Sequence, residues 1–306
     1  MAYALDPRMP PATELCRVVR EECRQAKAHL RRRGSLLPES VHEARRALRR
    51  VRAALLIVRP GLAAADYAAA LAPWREAGRR LCAQRDAQSA IEALERLERV
   101  APTLLTPSAR ARLERGLRQR RDRLSRGADP ELDAALVELD GAQRAIAGWT
   151  RALTPEVLWR GMRDGHARAT AAAALAAAAP ADDPAWHRFR QRVRAHWLQL
   201  ELLRPVWPAV VGAQAQEARR LSQLLGRERD LLLLDQRLVA LRGDPAPDCP
   251  RTPLRAEVAR RRERMRSRAL ALAAVSFSEG ARAFSRRLRR AAQAGPPPAR
   301  SGEDSG

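Results

Sequence analysis

VHEARRALRRVRAALLIVRP at residues 41–60 aligns without a gap on WHRFRQRVRAHWLQLELLRP at residues 186–205. At an offset of 145 residues, His42 pairs with His187, Arg45 with Arg190, Arg49 with Arg194, Leu55 with Leu200, Arg59 with Arg204 and Pro60 with Pro205. Wound at about 100° per residue, the first block places Val41, Ala44, Ala47, Leu48, Val51, Leu55 and Val58 on one apolar face. His42, Arg45, Arg46, Arg49, Arg50 and Arg52 fall on the other, opposed there by Glu43 alone. That is the pattern of a helix packed by one side, with a positive ridge on the other. In the second block Trp186, Phe189, Val193, Leu200 and Leu203 form the apolar face, and His187, Arg190 and Arg194 the basic one. Trp197 and Glu201 share that basic arc, so the second ridge reads as the weaker. His196 projects to the apolar side and reads as a core or lobe-interface histidine. A helix repeated at half the chain length predicts two lobes of like architecture, related by a pseudo-twofold axis.

The repeat continues downstream. RRLCAQRD at 79–86 aligns with SQLLGRERD at 222–230, ending in Arg85-Asp86 and Arg229-Asp230, now at an offset of 144. Start and stop signals divide the rest. Ser40 with Glu43 reads as a capping box. Thr106-Pro107, Asp129-Pro130, Thr154-Pro155 and Asp183-Pro184 each set a capping residue before a proline at the first helical position. Pro60-Gly61 and Pro205 end the helices before them. Helices are expected near 10–33, 38–59, 64–100, 107–127, 130–151, 155–179, 184–204, 212–242 and 252–291, the third and last long enough to bend or break. Residues 243–251 read as a proline-rich loop. Alternating apolar patterns and Asn-Gly or Asp-Gly turns, the marks of strands and hairpins, are missing. The chain is therefore expected to be all-α, with an N-terminal lobe over 1–152, a C-terminal lobe over 153–292 and a disordered tail over 293–306.

Composition agrees. With 46% hydrophobic residues in a chain of 306, a sizeable core can be buried. Aromatics at 4% leave Leu, Ala and Val to build it, which suits helix-on-helix packing. The formal charge of +23 calls for an anionic partner. Lys27 is the sole lysine among 58 basic residues, so nearly all are arginine, whose planar fork fits phosphate oxygens. Cys16, Cys23, Cys82 and Cys249 lack zinc-type spacing and read as buried thiols in a reducing compartment. The N-terminus lacks the apolar segment of a signal peptide, and the Ala169–Ala179 run is short of a membrane span. A cytoplasmic protein with that run packed in the interior is expected.

Solvated helix faces usually mix signs through Glu–Arg pairs three or four residues apart. Glu92, Glu95, Arg96, Glu98 and Arg99 do so, and read as such a face. Residues 42–52 mix far less. Their H-x-x-R-x-x-x-R-R-x-R pattern (His42, Arg45, Arg49, Arg50, Arg52) resembles the first-lobe motif of the CHAD domain family, the conserved histidine α-helical domain. His187, Arg190, Arg194 and Glu201 resemble its second-lobe motif. Leu225-Gly226-Arg227-Glu228-Arg229-Asp230, and Leu81 to Asp86 in the first half, resemble its LG-x-x-R/H-D turn. Cys82 replaces the usual Gly, Trp197 stands at a common Arg position, and Leu198 stands where an aromatic is common. The resemblance spans residues 10–290, without the CYTH domain that often accompanies this family.

The resemblance implies two helical bundles around a basic central groove or pore. It also implies binding of inorganic polyphosphate and association with polyphosphate granules. The implied contacts are His42, Arg45, Arg46, Arg49, Arg50, Arg52, Arg85, His187, Arg190, Arg194 and Arg229. A bound anion would favour the protonated form of each histidine. Four other readings stand beside it. Non-specific nucleic-acid binding is expected in dilute salt, although no recognition motif is apparent and few aromatics are available for stacking. The chain could also serve as a non-catalytic accessory to a phosphate-chain enzyme. Catalysis itself finds no P-loop, no clustered carboxylates and no E-x-E-x-K motif, so no enzyme and no cofactor is expected. Metal binding at His42 or His187 is disfavoured because arginines around each repel cations. Asp86 and Asp230 read as ion-pair partners that orient arginines.

Overall fold

The computed structural model describes residues 3–32, 37–240 and 251–294. Among them are eleven α-helices and no strand: α1 (Pro11–Leu30), α2 (Leu37–Val58), α3 (Ala64–Arg80), α4 (Cys82–Val100), α5 (Pro107–Arg126), α6 (Asp129–Thr150), α7 (Pro155–Ala178), α8 (Asp183–Leu203), α9 (Pro208–Ala240), α10 (Arg251–Ser276) and α11 (Ala281–Ala294). The proline-rich stretch through residue 250, Cys249 and the tail from residue 295 lie outside the described residues.

Punctuation by proline and glycine worked as read. α2 and α8 each end in a one-turn 3-10 helix at Arg59–Gly61 and Arg204–Val206, where the proline removes a backbone donor. The two long helices are both broken. Leu81, fully buried, separates α3 from α4, and residues 277–280 separate α10 from α11. Thr106 and Thr154 cap α5 and α7, accepting from the amides of Ala109 and Val157 at 3.3 Å.

Other signals misplaced a boundary. α2 already begins at Leu37, so Ser40 is a buried residue of its first turn and not a cap. Asp129 and Asp183 are themselves the first residues of α6 and α8, so Ala128 and Asp182 stand at the cap positions, where neither makes a side-chain capping bond. Asp183 is taken instead by Arg262 and Arg266 of α10, which also hold the buried Glu228 of α9. Arg266 in turn stacks 4.9 Å from the Trp186 ring. The alanine run of α7 is not interior: Ala169, Ala172 and Ala176 are buried, but Leu175 is 57% exposed. Cys23 is buried, and burial lifts its thiol to about 11. Cys16 and Cys82 are only half-buried, contrary to expectation.

Helix order recurs between the halves. α1 and α2 pack together as α7 and α8 do, α4 packs on α5 as α9 does on α10, and α6 packs on α1 as α11 does on α7. α9 runs unbroken where the first half has both α3 and α4. Two contacts join the halves at equivalent helices: α2 against α8, and α4 against α9. The main core gathers Leu15, Leu48, Leu55, Trp74, Leu132, Leu203 and Phe284, so it draws on both halves, as does a smaller cluster where α4 and α5 meet α9 and α10. α7 crosses α2 closely at Gly161, where a Cβ would press into the backbone carbonyl of Ile57. His196 is a core histidine, 3% exposed, with its ring against His166, Phe277 and Phe284.

Candidate functional site

The three-and-four spacing of His42, Arg45, Arg49 and Arg52 keeps them on one stripe of α2, and the same spacing aligns His187, Arg190 and Arg194 on α8. α2 packs on α8 and α4 packs on α9, and the two stripes lie within one another's electrostatic reach, with the start of α4 and the middle of α9 beside them. Those two helices bring Arg85 and Arg229. All nine side chains are half-buried: solvent reaches them, but protein surrounds most of each.

The electrostatic neighbours show how the halves meet. Arg49 is drawn down to about 9, first by burial and then by Arg45, Arg190, Arg85 and Arg52. Arg194 is pushed well below the ordinary arginine value by burial, Arg190 and Arg49. Arg190 is lowered by burial, with Arg229 and Arg45 adding to it and Asp230 and Asp86 opposing. Arg52 is lowered by burial, Arg75 and Arg45. Like charges from both halves thus converge without enough carboxylate to neutralise them, an arrangement that costs stability until an anion enters.

The histidines answer to the same field. Burial, then Arg85 and Arg49, hold His42 below its ordinary value. Burial, then Arg229, Arg190 and Arg194, do the same to His187. Both are accordingly neutral at pH 7 in the free protein. The amide nitrogen of Gln191 lies 2.6 Å from His187 Nε2. If that amide donates, the imidazole proton sits on Nδ1, which has no protein partner.

Arg46 and Arg50 are not brought to this cluster. Arg50 turns toward α1, bonding Glu22 at 2.9 Å and lying 5.0 Å from the Tyr3 ring. Arg46 is exposed and pairs with Glu43 at 3.3 Å. A 100° step places them beside the stripe, but α1 packs against that flank. On α8, Trp197 donates to Glu201 at 2.9 Å, so this end of the stripe carries a carboxylate and no cation.

Two residues read as an ordinary solvated face belong here. Glu92 grips Arg85 with both oxygens, at 2.8 and 3.1 Å. Arg96 bonds Asp230 at 2.8 Å across the α4–α9 contact. Burial lifts the Asp230 carboxyl above the usual range, with Arg96, Arg190 and Arg85 opposing. Burial also lifts Glu92, but the bonds and charge of Arg85 bring it net below that range. The signal available in sequence was the seven-residue spacing from Arg85 to Glu92, two turns along one face. Asp230 acts as the expected ion-pair partner. Asp86 lies 3.6 Å from Cys82 Sγ and within the field of Arg190 and His187.

Other hollows lack this character. A cavity of about 710 Å³ between α1 and α6 is bordered by Arg17 and Arg24, each already paired with a glutamate. Among the described residues no three His, Cys, Asp or Glu gather as a metal-binding group, and no helix is long and apolar enough to cross a membrane.

The fold has relatives among known proteins. The family model of the CHAD domain matches residues 17–239. The crystal structure of the CHAD domain from the plant Ricinus communis is similar at a TM-score of 0.60 and 17% identity, over 96% of this chain and 95% of that one. PptA from Streptomyces chartreusis is similar at a TM-score of 0.48 and 18% identity, over 94% of this chain and 100% of that one. No curated protein matches.

Proposed function

The chain belongs to the CHAD domain family, and from that premise we propose that it binds inorganic polyphosphate between α2, α4, α8 and α9 without acting on it chemically. The observation that carries this reading is the convergence of Arg49, Arg190 and Arg194 from both halves, with their pKa values depressed by burial and by one another. A polyanion relieves that repulsion. Guanidinium forks suit phosphate oxygens, and a chain of phosphates presents them without bases to read. Nucleic acid is the less apt occupant: Trp197, the aromatic on the α8 arc, is hydrogen-bonded to Glu201 and so not freely offered for stacking. The reading includes a cytoplasmic location, on or near polyphosphate granules.

The test is salt-dependent binding of long-chain polyphosphate of defined length. Wild type, Arg49→Ala and Arg194→Ala are compared, with single- and double-stranded DNA as competitors. Affinity should fall steeply with salt through counterion release. Each substitution should weaken binding roughly tenfold and flatten the salt slope. DNA should displace polyphosphate poorly at physiological salt. Unchanged affinity in both variants, or preferential binding of DNA, would refute the assignment. Release of orthophosphate or shortened chains by the pure protein would refute its non-catalytic character.

A further inference from the structure

The two halves present their second arginine differently. Arg85 and Arg229 are counterparts at the 144-residue offset, yet Arg85 is held by Glu92 in a two-pronged ion pair, with side chains 20% and 29% exposed. Arg229 has no ion pair among the described residues. The sequence accounts for the difference: at the same offset the counterpart of Glu92 is Gln236, an exposed neutral amide. Arg96, whose counterpart is Ala240, adds a second link, 3.9 Å from Glu92 and 2.8 Å from Asp230. A carboxylate in the fork of a guanidinium occupies the place a phosphate would take, with the same pair of parallel N–H···O bonds. Its partial exposure leaves it within reach of a ligand.

We propose that Glu92 is a built-in competitor for the phosphate chain, holding Arg85 closed so that a ligand gains that arginine only by displacing the carboxylate. Residue 92 thereby sets affinity, and the half of the site that is richer in sequence charge is the one held back. This inference rests on the polyphosphate reading and adds an affinity-setting residue to it.

The experiment is a double-mutant cycle on the full chain, titrated with long-chain polyphosphate at fixed low salt. Wild type, Glu92→Gln, Arg85→Ala and the double variant are compared. Glu92→Gln should bind about two- to fivefold tighter, the range expected from releasing a partly exposed ion pair. Arg85→Ala should cost at least about twofold more in the Glu92→Gln background than in wild type. Glu76→Gln on α3, an equal change in net charge at a carboxylate paired with Arg79, should gain less than about 1.5-fold. Thermal melting checks the fold, and Glu92→Ala replaces Glu92→Gln should the latter not fold. The proposal is overturned by weaker binding in a folded Glu92 variant, by equal gains at positions 92 and 76, or by an equal cost of Arg85→Ala in both backgrounds. Wild type that fails to bind at all refutes the functional assignment and this inference with it. Wild type that binds while the cycle shows no coupling refutes Glu92 alone.

Discussion

Replacing Arg49 by methionine should stabilise the free protein while weakening its hold on polyphosphate. Methionine keeps most of the apolar stem in place and removes the charge. A guanidinium drawn from its ordinary value to about 9 corresponds to roughly 4–5 kcal/mol against the charged form. Water that reaches the half-buried group, and relaxation of its neighbours, screen most of that, leaving about 1–2 kcal/mol as the expected gain. In a chain of this size that is an upward shift of about 1.5–3 °C in melting temperature. The sign with pH follows from the depressed folded value. The penalty is fully present at neutral pH, where the arginine is charged in both states. Because the folded value is the lower one, the penalty is relieved only toward strongly alkaline pH, where the folded state would release its proton first. The assay is scanning calorimetry at low and high salt, with and without long-chain polyphosphate. Without ligand the variant should melt higher, by a margin that shrinks in salt. With saturating ligand the order should reverse, because wild type gains more from binding. A variant that melts lower than wild type in ligand-free, low-salt buffer would refute the argument that the clustered arginines are held at a cost.

Further outcomes follow from the same packing. His42 and His187 are held below their ordinary value by burial and arginines, so an entering phosphate chain should raise both and draw in protons. Calorimetric titration in buffers of differing ionisation enthalpy should show proton uptake, and affinity should rise from pH 8 to pH 6; a His42→Ala/His187→Ala variant that keeps both effects would contradict this. His196 is held at about 3 by burial and by His166. The unfolded chain therefore binds a proton that the fold refuses as pH drops through 6.5, and stability should decline from there toward pH 3. His196→Phe should flatten the melting-temperature profile in that window, and a profile as steep as wild type would discard the assignment. Gly161→Ala would press a methyl group into the carbonyl of Ile57, and should cost about 2–4 kcal/mol in denaturant unfolding; a loss under about 0.5 kcal/mol would mean that α2 and α7 separate freely.

The helices, their proline-marked ends and the repeat were legible in the sequence because each depends on neighbours within a turn or two: a threonine beside its own amides, a proline lacking its donor, an apolar residue every third or fourth position. The same local rule selected the stripe of His42, Arg45, Arg49 and Arg52. It could not separate Arg50 from that stripe, because Glu22 and Tyr3, which take Arg50 away, come from a different helix. Nor could it separate Asp183 as a cap from Asp183 as the anchor of Arg262 and Arg266. The sequence alone determined an excess of arginine arranged twice on helix faces. Only the packing of α2 on α8 and α4 on α9 decided that the arginines of the two halves oppose one another. Charges act through space, and the distances that matter are those between helices more than a hundred residues apart.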